Sequence, residues 1–327
     1  MKKWSHVLSA AILTVGICLG YGQEAQAMVG GKPVIGISWK SPKQAKSYEA
    51  FKKIITMAGG IPVELDQIKS TDVTYAADGT VDKAYVEPSG MLKQAYADKI
   101  RHDGFERTNI QTVMQGIDGV FGTGGEDISP SLYKVPETEK NHGETINAAR
   151  DISDYALQDY CRRHDIPVLN VCRSEQMMGI VYGVTFIQDI PDYYKTQGVK
   201  AYKEIHRMAP GTPNRDYTHH AIRILPVNSK LRSIVGDDTF DKVSSWHHQN
   251  ILSVAGTGLI QTAEYTDHGL SLVEGVEDPH RKFAVGLQFH PENDIKQVVL
   301  NHKDPKGYAD VDICLAFFKA LIAASQK

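Results

Sequence analysis

The chain is poor in cysteine, has no excess of either charge, and beyond its first residues has no long apolar run. Four cysteines in 327 residues cannot staple a chain of this length into a disulfide scaffold. A net charge of −3, from 36 basic and 39 acidic residues, removes the electrostatic case for a nucleic-acid partner. Nothing after residue 27 is apolar for long enough to span a membrane. Internal repeats and low-complexity segments are also missing, which excludes solenoids and linker-like chains. What is left is a globular composition, 42% hydrophobic and 23% charged, sized for one large α/β domain or two small ones.

The N-terminus stands apart. Lys2 and Lys3 precede the apolar run Val7–Gly20, and Ala25-Gln26-Ala27 supplies small residues before a cut. This three-part pattern predicts a signal peptide over residues 1–27, with residues 28–327 as one domain. The expected location is secreted, periplasmic or cell-envelope, with no membrane contact after cleavage. Cys18 follows Ile17 rather than a small residue, which argues against a lipoprotein anchor. Met28 also offers an internal start, which would leave a cytoplasmic protein. Cleavage leaves Cys161, Cys172 and Cys314, an odd number that flags an unpaired thiol. Cys161 and Cys314 lie in helix-like segments and read as small buried hydrophobes.

Strand and helix patterns alternate along the chain. "PVIGISW", "IPVELD", "IDGVFGTGG" and "IPVLNV" are short apolar runs, and helical spacing fills "SYEAFKKIITMAGG" and "NAARDISDYALQDYCRRHD". Repeated strand–helix–strand units predict a mostly parallel sheet with helices on both faces, a three-layer α/β sandwich. Closely spaced strands from "HHAIRIL" to "KFAVGLQF" predict a smaller antiparallel portion, and "VDICLAFFKALIAAS" a closing helix. Asp66–Gln115 is polar with weak helical signal and reads as a lid or long connection outside the core.

Cys172 sits where the strand "IPVLNV" meets a following helix. A residue at such a turn is lifted above the sheet as in a nucleophile elbow. The helix N-terminus and the neighbouring Arg173 both favour a thiolate. Position alone leaves a buried inert cysteine equally open. A nucleophile needs a base with an orienting partner. His290 and Glu292, at the end of "FAVGLQF", would lie on one side of an extended chain at i, i+2. The tandem glycines Gly124 and Gly125 after a strand would let backbone N–H groups form an oxyanion hole. No Gly-Lys-Ser/Thr follows them, so they are not a phosphate loop. Spacings among His219, His220, His247, His248 and His290 match no metal signature, and no metal is expected.

"GVFGTGGEDISPSLY", "RDISDY", "PVLNVCRSEQMMGIVYGVTFIQDI", "SSWHHQ" and "VGLQFHPE" occur in that order. Together they resemble the class I glutamine amidotransferase-like superfamily, and more narrowly peptidase family C26, close to the γ-glutamyl-γ-aminobutyrate hydrolases. The resemblance runs from Val34 to about Glu292. It implies a flavodoxin-like fold, no cofactor and a small γ-glutamyl substrate, and it leaves a homodimer open. It assigns Cys172 as nucleophile, His290 as base and then acid, and Glu292 as its orienter. The oxyanion hole would use N–H groups near Gly124, Gly125 and Arg173. Gln176 would hold the glutamyl end, and His247, His248 and Gln249 would line the pocket, with one of the adjacent histidines reaching it. The implied reaction is hydrolysis of γ-glutamyl amides through a thioester. A glutaminase or an inactive binding protein on the same fold are the alternatives. Four positions depart from the usual pattern: Asn170 and Ser174 replace glycines, Glu175 adds a charge, and Gly179 replaces an asparagine.

Overall fold

A computed structural model describes residues 28–29, 31–39, 45–133, 146–200, 202–209, 211–213 and 215–326. The expected signal peptide, residues 1–27, lies outside the described residues. The first half contains strands β1 (Met28–Val29), β2 (Lys32–Ile37), β3 (Ile61–Glu64), β4 (Gly119–Gly122) and β5 (Val168–Val171). Its helices are α1 (Ala45–Ala58), α2 (Gln94–Asp103), α3 (Ile110–Val113), α4 (Pro130–Tyr133), α5 (Ala148–His164) and α6 (Arg173–Tyr182). The second half adds β6 (Thr185–Ile187), β7 (Thr218–Ile224), β8 (Thr239–Ser245), β9 (Asn250–Ser253), β10 (Ile260–Asp267), β11 (Leu270–Glu277) and β12 (Ala284–Leu287). Its helices are α7 (Ile190–Thr196), α8 (Lys230–Val235), α9 (Pro291–Ile295) and α10 (Val311–Ala324).

Among the described residues, ten strands form one mixed sheet in the order β1-β2-β4-β5-β12-β11-β10-β7-β8, with β3 beside β2. β3, β2, β4, β5 and β12 run parallel. Counted among themselves they follow the 2-1-3-4-5 order of flavodoxin-like sheets. β11, β10, β7 and β8 extend the sheet antiparallel. The expected α/β sandwich is therefore what the chain builds.

Side chains alternate across the parallel strands as the pleat requires. Ile35, Ile37, Phe121, Leu169, Val171, Val285 and Leu287 face a core closed by Phe51, Ile54 and Ile55 of α1 and Phe317, Phe318 and Leu321 of α10. Val120, Val168 and Ala284 face the other way, onto Ala156, Leu157 and Cys161 of α5 and Met178 of α6.

Residues 66–115 correct the expectation of a segment outside the core. They do form the long connection from β3 to β4, but it is packed. Val73, Val81, Leu92, Ala97 and Ile100 bury against Ile152 and Tyr155 of α5 and Met177, Ile180 and Val181 of α6. Leu65, Ile68, Ile110 and Met114 join the cluster beneath. The connection covers the outer face of α5 and α6, and this is why α5 is buried nearly all round.

Candidate active site

β4, β5 and β12 are neighbours, and their carboxyl ends deliver the glycine loop, Cys172 and His290 to one place. Cys172 alone separates β5 from α6, with φ 50° and ψ −113°. A non-glycine residue there carries about 1–3 kcal/mol of backbone strain, which persists only when the surroundings enforce it. They do: Cys172 N–H donates to Leu287 O at 2.8 Å, and its carbonyl accepts from Gln176 N–H at 3.0 Å. The thiol is 5% exposed and points past the Trp246 carbonyl, 3.7 Å from Sγ.

The departures at the elbow are accommodated. Asn170 lies beside Gly122 in register and occupies the space a Cβ there would need. Its amide pairs reciprocally with that of Gln158 on α5, at 2.7 and 2.9 Å. Ser174 Oγ donates to Thr123 O at 2.8 Å.

His290 Nδ1 lies 2.6 Å from Glu292 Oε1. The expected extended i, i+2 link is not how they meet. Pro291 opens α9, so Glu292 sits in a helical first turn and reaches back to the ring. Both are buried. The other ring nitrogen, Nε2, is buried without a full hydrogen bond. Burial opposes the imidazolium, but the Tyr217 phenol, the Glu292 carboxylate and the Cys172 thiol, the last also as a hydrogen-bonding group, carry His290 well above the usual histidine range. Tyr217 packs its ring edge-on against His290, centroids 4.9 Å apart.

Gly124 is required by close approach. A Cβ there would lie 2.7 Å from His290 Cε1 and 3.5 Å from Cys172 Cβ. Gly125 borders the same crevice, and a Cβ on it would run into the Arg150 guanidinium. Arg150 Nη2 holds the loop by donating to Gly124 O at 2.8 Å and to Thr123 Oγ1 at 2.9 Å.

Arg173 does not act as a cation beside the thiol. Its guanidinium turns away and donates to Asp151 Oδ1 (2.7 Å), Asp154 Oδ2 (3.0 Å) and Glu126 O (2.6 Å). It anchors α6 to α5 and to the glycine loop. Its backbone N–H remains at the first position of α6, where a helix leaves donors without partners of its own.

The crevice holds about 50 Å³ and is lined by Gly125, Cys172, Gln176, His247, His248 and Gln249, together with Glu126, Asp127, Arg207 and Trp246. Gln176 Nε2 donates to Gln249 O and Gln288 Oε1, each at 3.0 Å. Both adjacent histidines line the crevice, contrary to the strand alternation expected of them. β8 ends at Ser245, so they lie on irregular chain. His247 pairs Nδ1 with Gln249 O at 2.9 Å, and burial holds it well below the usual range. His248 bridges two carboxylates, Asp189 at Nδ1 and Asp127 at Nε2, each at 3.0 Å. Burial opposes its charge, but those bonds raise it to about 9. Asp127 and Trp246 lie in the quoted glycine-loop and "SSWHHQ" stretches without being singled out as site residues, and nothing in the local pattern of Tyr217 or Arg207 marks them. Among the described residues, the groups spaced to hold a metal ion are His206, His220 and Glu274, behind His247.

A thiol on a strained elbow, a histidine–carboxylate pair and a glycine edge thus meet at the carboxyl ends of neighbouring strands. The sequence pattern of Peptidase C26 matches residues 99–292, more than half of the chain, and the chain belongs to that family. It is 29% identical over 208 residues to a Schizosaccharomyces pombe protein named "Putative glutamine amidotransferase", covering 64% of this chain and 73% of that one. It is 32% identical over 241 residues to protein NtpR of Enterococcus hirae, covering 73% and 90%. A glutamine amidotransferase structure from Thermotoga maritima aligns over 90% of this chain and 98% of that one, at 13% identity and a TM-score of 0.45.

Proposed function

We propose that the protein hydrolyses γ-glutamyl amide bonds through a γ-glutamyl thioester on Cys172. The observation that carries this reading is the close placement around Gly124 of the strained Cys172 and the His290–Glu292 pair. The charged state favoured for His290 suits an imidazolium–thiolate pair. The thiolate attacks the γ-carbonyl, and the developing oxyanion meets backbone donors at Gly125 and at the start of α6. The imidazolium then protonates the leaving amine. His290 next removes a proton from water, which attacks the thioester and releases glutamate. Glu292 stabilises the imidazolium in both halves. Gln176 and the glycine loop border the place for the substrate's α-carboxylate.

The test is a panel of γ-glutamyl dipeptides, γ-glutamyl amines and glutamine given to the purified protein, with glutamate release measured. Their α-linked isomers serve as controls, because moving the charged groups leaves them unpaired. Equal rates on α- and γ-isomers refute the assignment. No turnover of any γ-glutamyl compound leaves the binding-protein reading, and turnover of glutamine alone makes the site a glutaminase. We further propose export after cleavage before Met28, checked by the N-terminus of the native protein in an envelope or medium fraction.

A further inference from the structure

We propose that His206, His220 and Glu274, with His247 beside them, form a metal site for one divalent transition ion, zinc by the chemistry of its donors, behind the wall of the active-site crevice. The four residues come from separate pieces of chain. His206 lies between α7 and β7, His220 on β7, Glu274 on β11, and His247 just beyond β8. They are 0%, 8%, 0% and 4% exposed.

Three imidazole nitrogens surround one carboxylate oxygen. His206 Nδ1, His220 Nε2 and His247 Nε2 lie 3.4, 3.3 and 3.9 Å from Glu274 Oε1. A tetrahedral ion bound at ~2.0–2.1 Å sets neighbouring donors ~3.3 Å apart. The His206 and His220 edges match, and His247 lies farther out, outside the group whose donor atoms all fall within 4.8 Å of one another. Hydrogen bonding accounts for the arrangement poorly. Only the His220–Glu274 contact has that geometry, and it is long at 3.3 Å. His206 Nδ1, His247 Nε2 and Glu274 Oε2 are buried with no hydrogen-bond partner. Buried polar groups are costly in that condition.

The surroundings favour a cation. His247 Nδ1 is engaged by the Gln249 carbonyl at 2.9 Å. That bond puts the ring proton on Nδ1 and turns the Nε2 lone pair to the cluster, as outer-shell partners do for metal-binding histidines. Glu175 on α6 is fully buried nearby with neither carboxylate oxygen hydrogen-bonded. Among the described residues neither carboxylate pairs with a lysine or arginine. The Tyr265 ring closes one side, edge-on to His206 and His220 with centroids 5.1 and 5.3 Å away. Two imidazoles and one carboxylate oxygen, with a third imidazole beside them, are a donor set for zinc, whereas oxygen-only sets suit calcium or magnesium. The ion would tie β7 and β11 to the two loops that carry His206 and His247, and so fix the crevice wall without touching the reacting atoms.

The test uses the full chain without a polyhistidine tag, carrying Cys172→Ser to remove the crevice thiol as a competing ligand. The protein is stripped with a chelator and titrated with Co²⁺, then Zn²⁺. One equivalent of Co²⁺ should give the intense visible bands of a four-coordinate site, and Zn²⁺ should displace it. Glu274→Gln and His220→Gln should each weaken binding at least ~10-fold, with folding checked by circular dichroism. The proposal is overturned if the folded parent retains neither ion, as buried waters in the cluster would give. It is equally overturned if both folded variants bind as tightly as the parent. Should one variant fail to fold, the parent's titration and the other variant still decide.

Discussion

Gly124→Ala tests the geometry of the site through one methyl group. The Gly124 φ lies outside the left-handed region, so alanine meets no backbone strain and the substitution tests space alone. The new Cβ would lie 2.7 Å from His290 Cε1. Carbon atoms rest at about 3.5–4.0 Å, so ring or loop must retreat by about 1 Å. The loop is held by Arg150 at Gly124 O, and the ring by Glu292 and Tyr217. Retreat of the ring lengthens its path to Cys172. A displacement of ~1 Å in a reacting pair costs on the order of 10²-fold in rate. Overpacking should cost ~1–3 kcal/mol of stability, leaving the variant folded. The assay is kcat and KM on whichever γ-glutamyl substrate the panel identifies, beside the rate of Cys172 alkylation by iodoacetamide. Both kcat and alkylation should fall, since a displaced imidazolium supports the thiolate less. A folded Gly124→Ala protein with unchanged kcat and alkylation would refute the proposed approach of loop, base and thiol.

The three cysteines should separate under alkylation. Cys161 and Cys314 lie in the cores, where burial pushes both thiols up, so peptide mapping should find Cys172 labelled well before either, and equal labelling counts against the elbow. His290→Ala should lower kcat by ~10²–10⁴-fold, while Glu292→Gln, which loses only the orienting charge, should be milder; wild-type rates in both would remove the pair from the mechanism. His248 makes stability pH-dependent. Its folded value of about 9 exceeds the ordinary ~6.5, so its two ion pairs contribute fully below pH ~6.5 and are lost as pH rises to ~9, up to about 3 kcal/mol. Thermal melts across that window should fall for the native protein and flatten for His248→Gln; parallel curves would show the bridge to be energetically idle.

β2, β3, β4 and β5 were legible as parallel strands because each is a short apolar run closed by glycine or a polar turn, and the elbow because Cys172 stands between a strand pattern and a helix pattern; β12, grouped by sequence with the antiparallel strands, instead pairs parallel with β5. Direction was not legible. Adjacency placed Arg173 beside the thiol, whereas its side chain turns to Asp151 and Asp154, carboxylates some twenty residues earlier. The same lack hid Tyr217 and the His206–Glu274 cluster, whose members meet only when β11, β10, β7 and β8 assemble side by side in the sheet. Residues 66–115 were misread for another reason. Val73, Val81, Leu92 and Ile100 are buried, but their spacing follows neither 2 nor 3.6, because irregular chain drapes over α5 rather than running along it.

The amide pair between Asn170 and Gln158 carries a consequence for how this sequence can change. Restoring the glycine usual at position 170 would empty the space over Gly122 and strand the Gln158 amide, 4% exposed, at about 1–3 kcal/mol. Replacing Gln158 alone would strand Asn170 in the same way. Each single step leads downhill in stability, while the double change, with an apolar residue at 158, removes both orphaned groups together. The variant elbow is thus locked to α5 as a two-residue unit. Chains with one member exchanged should be found less stable than those carrying either both or neither.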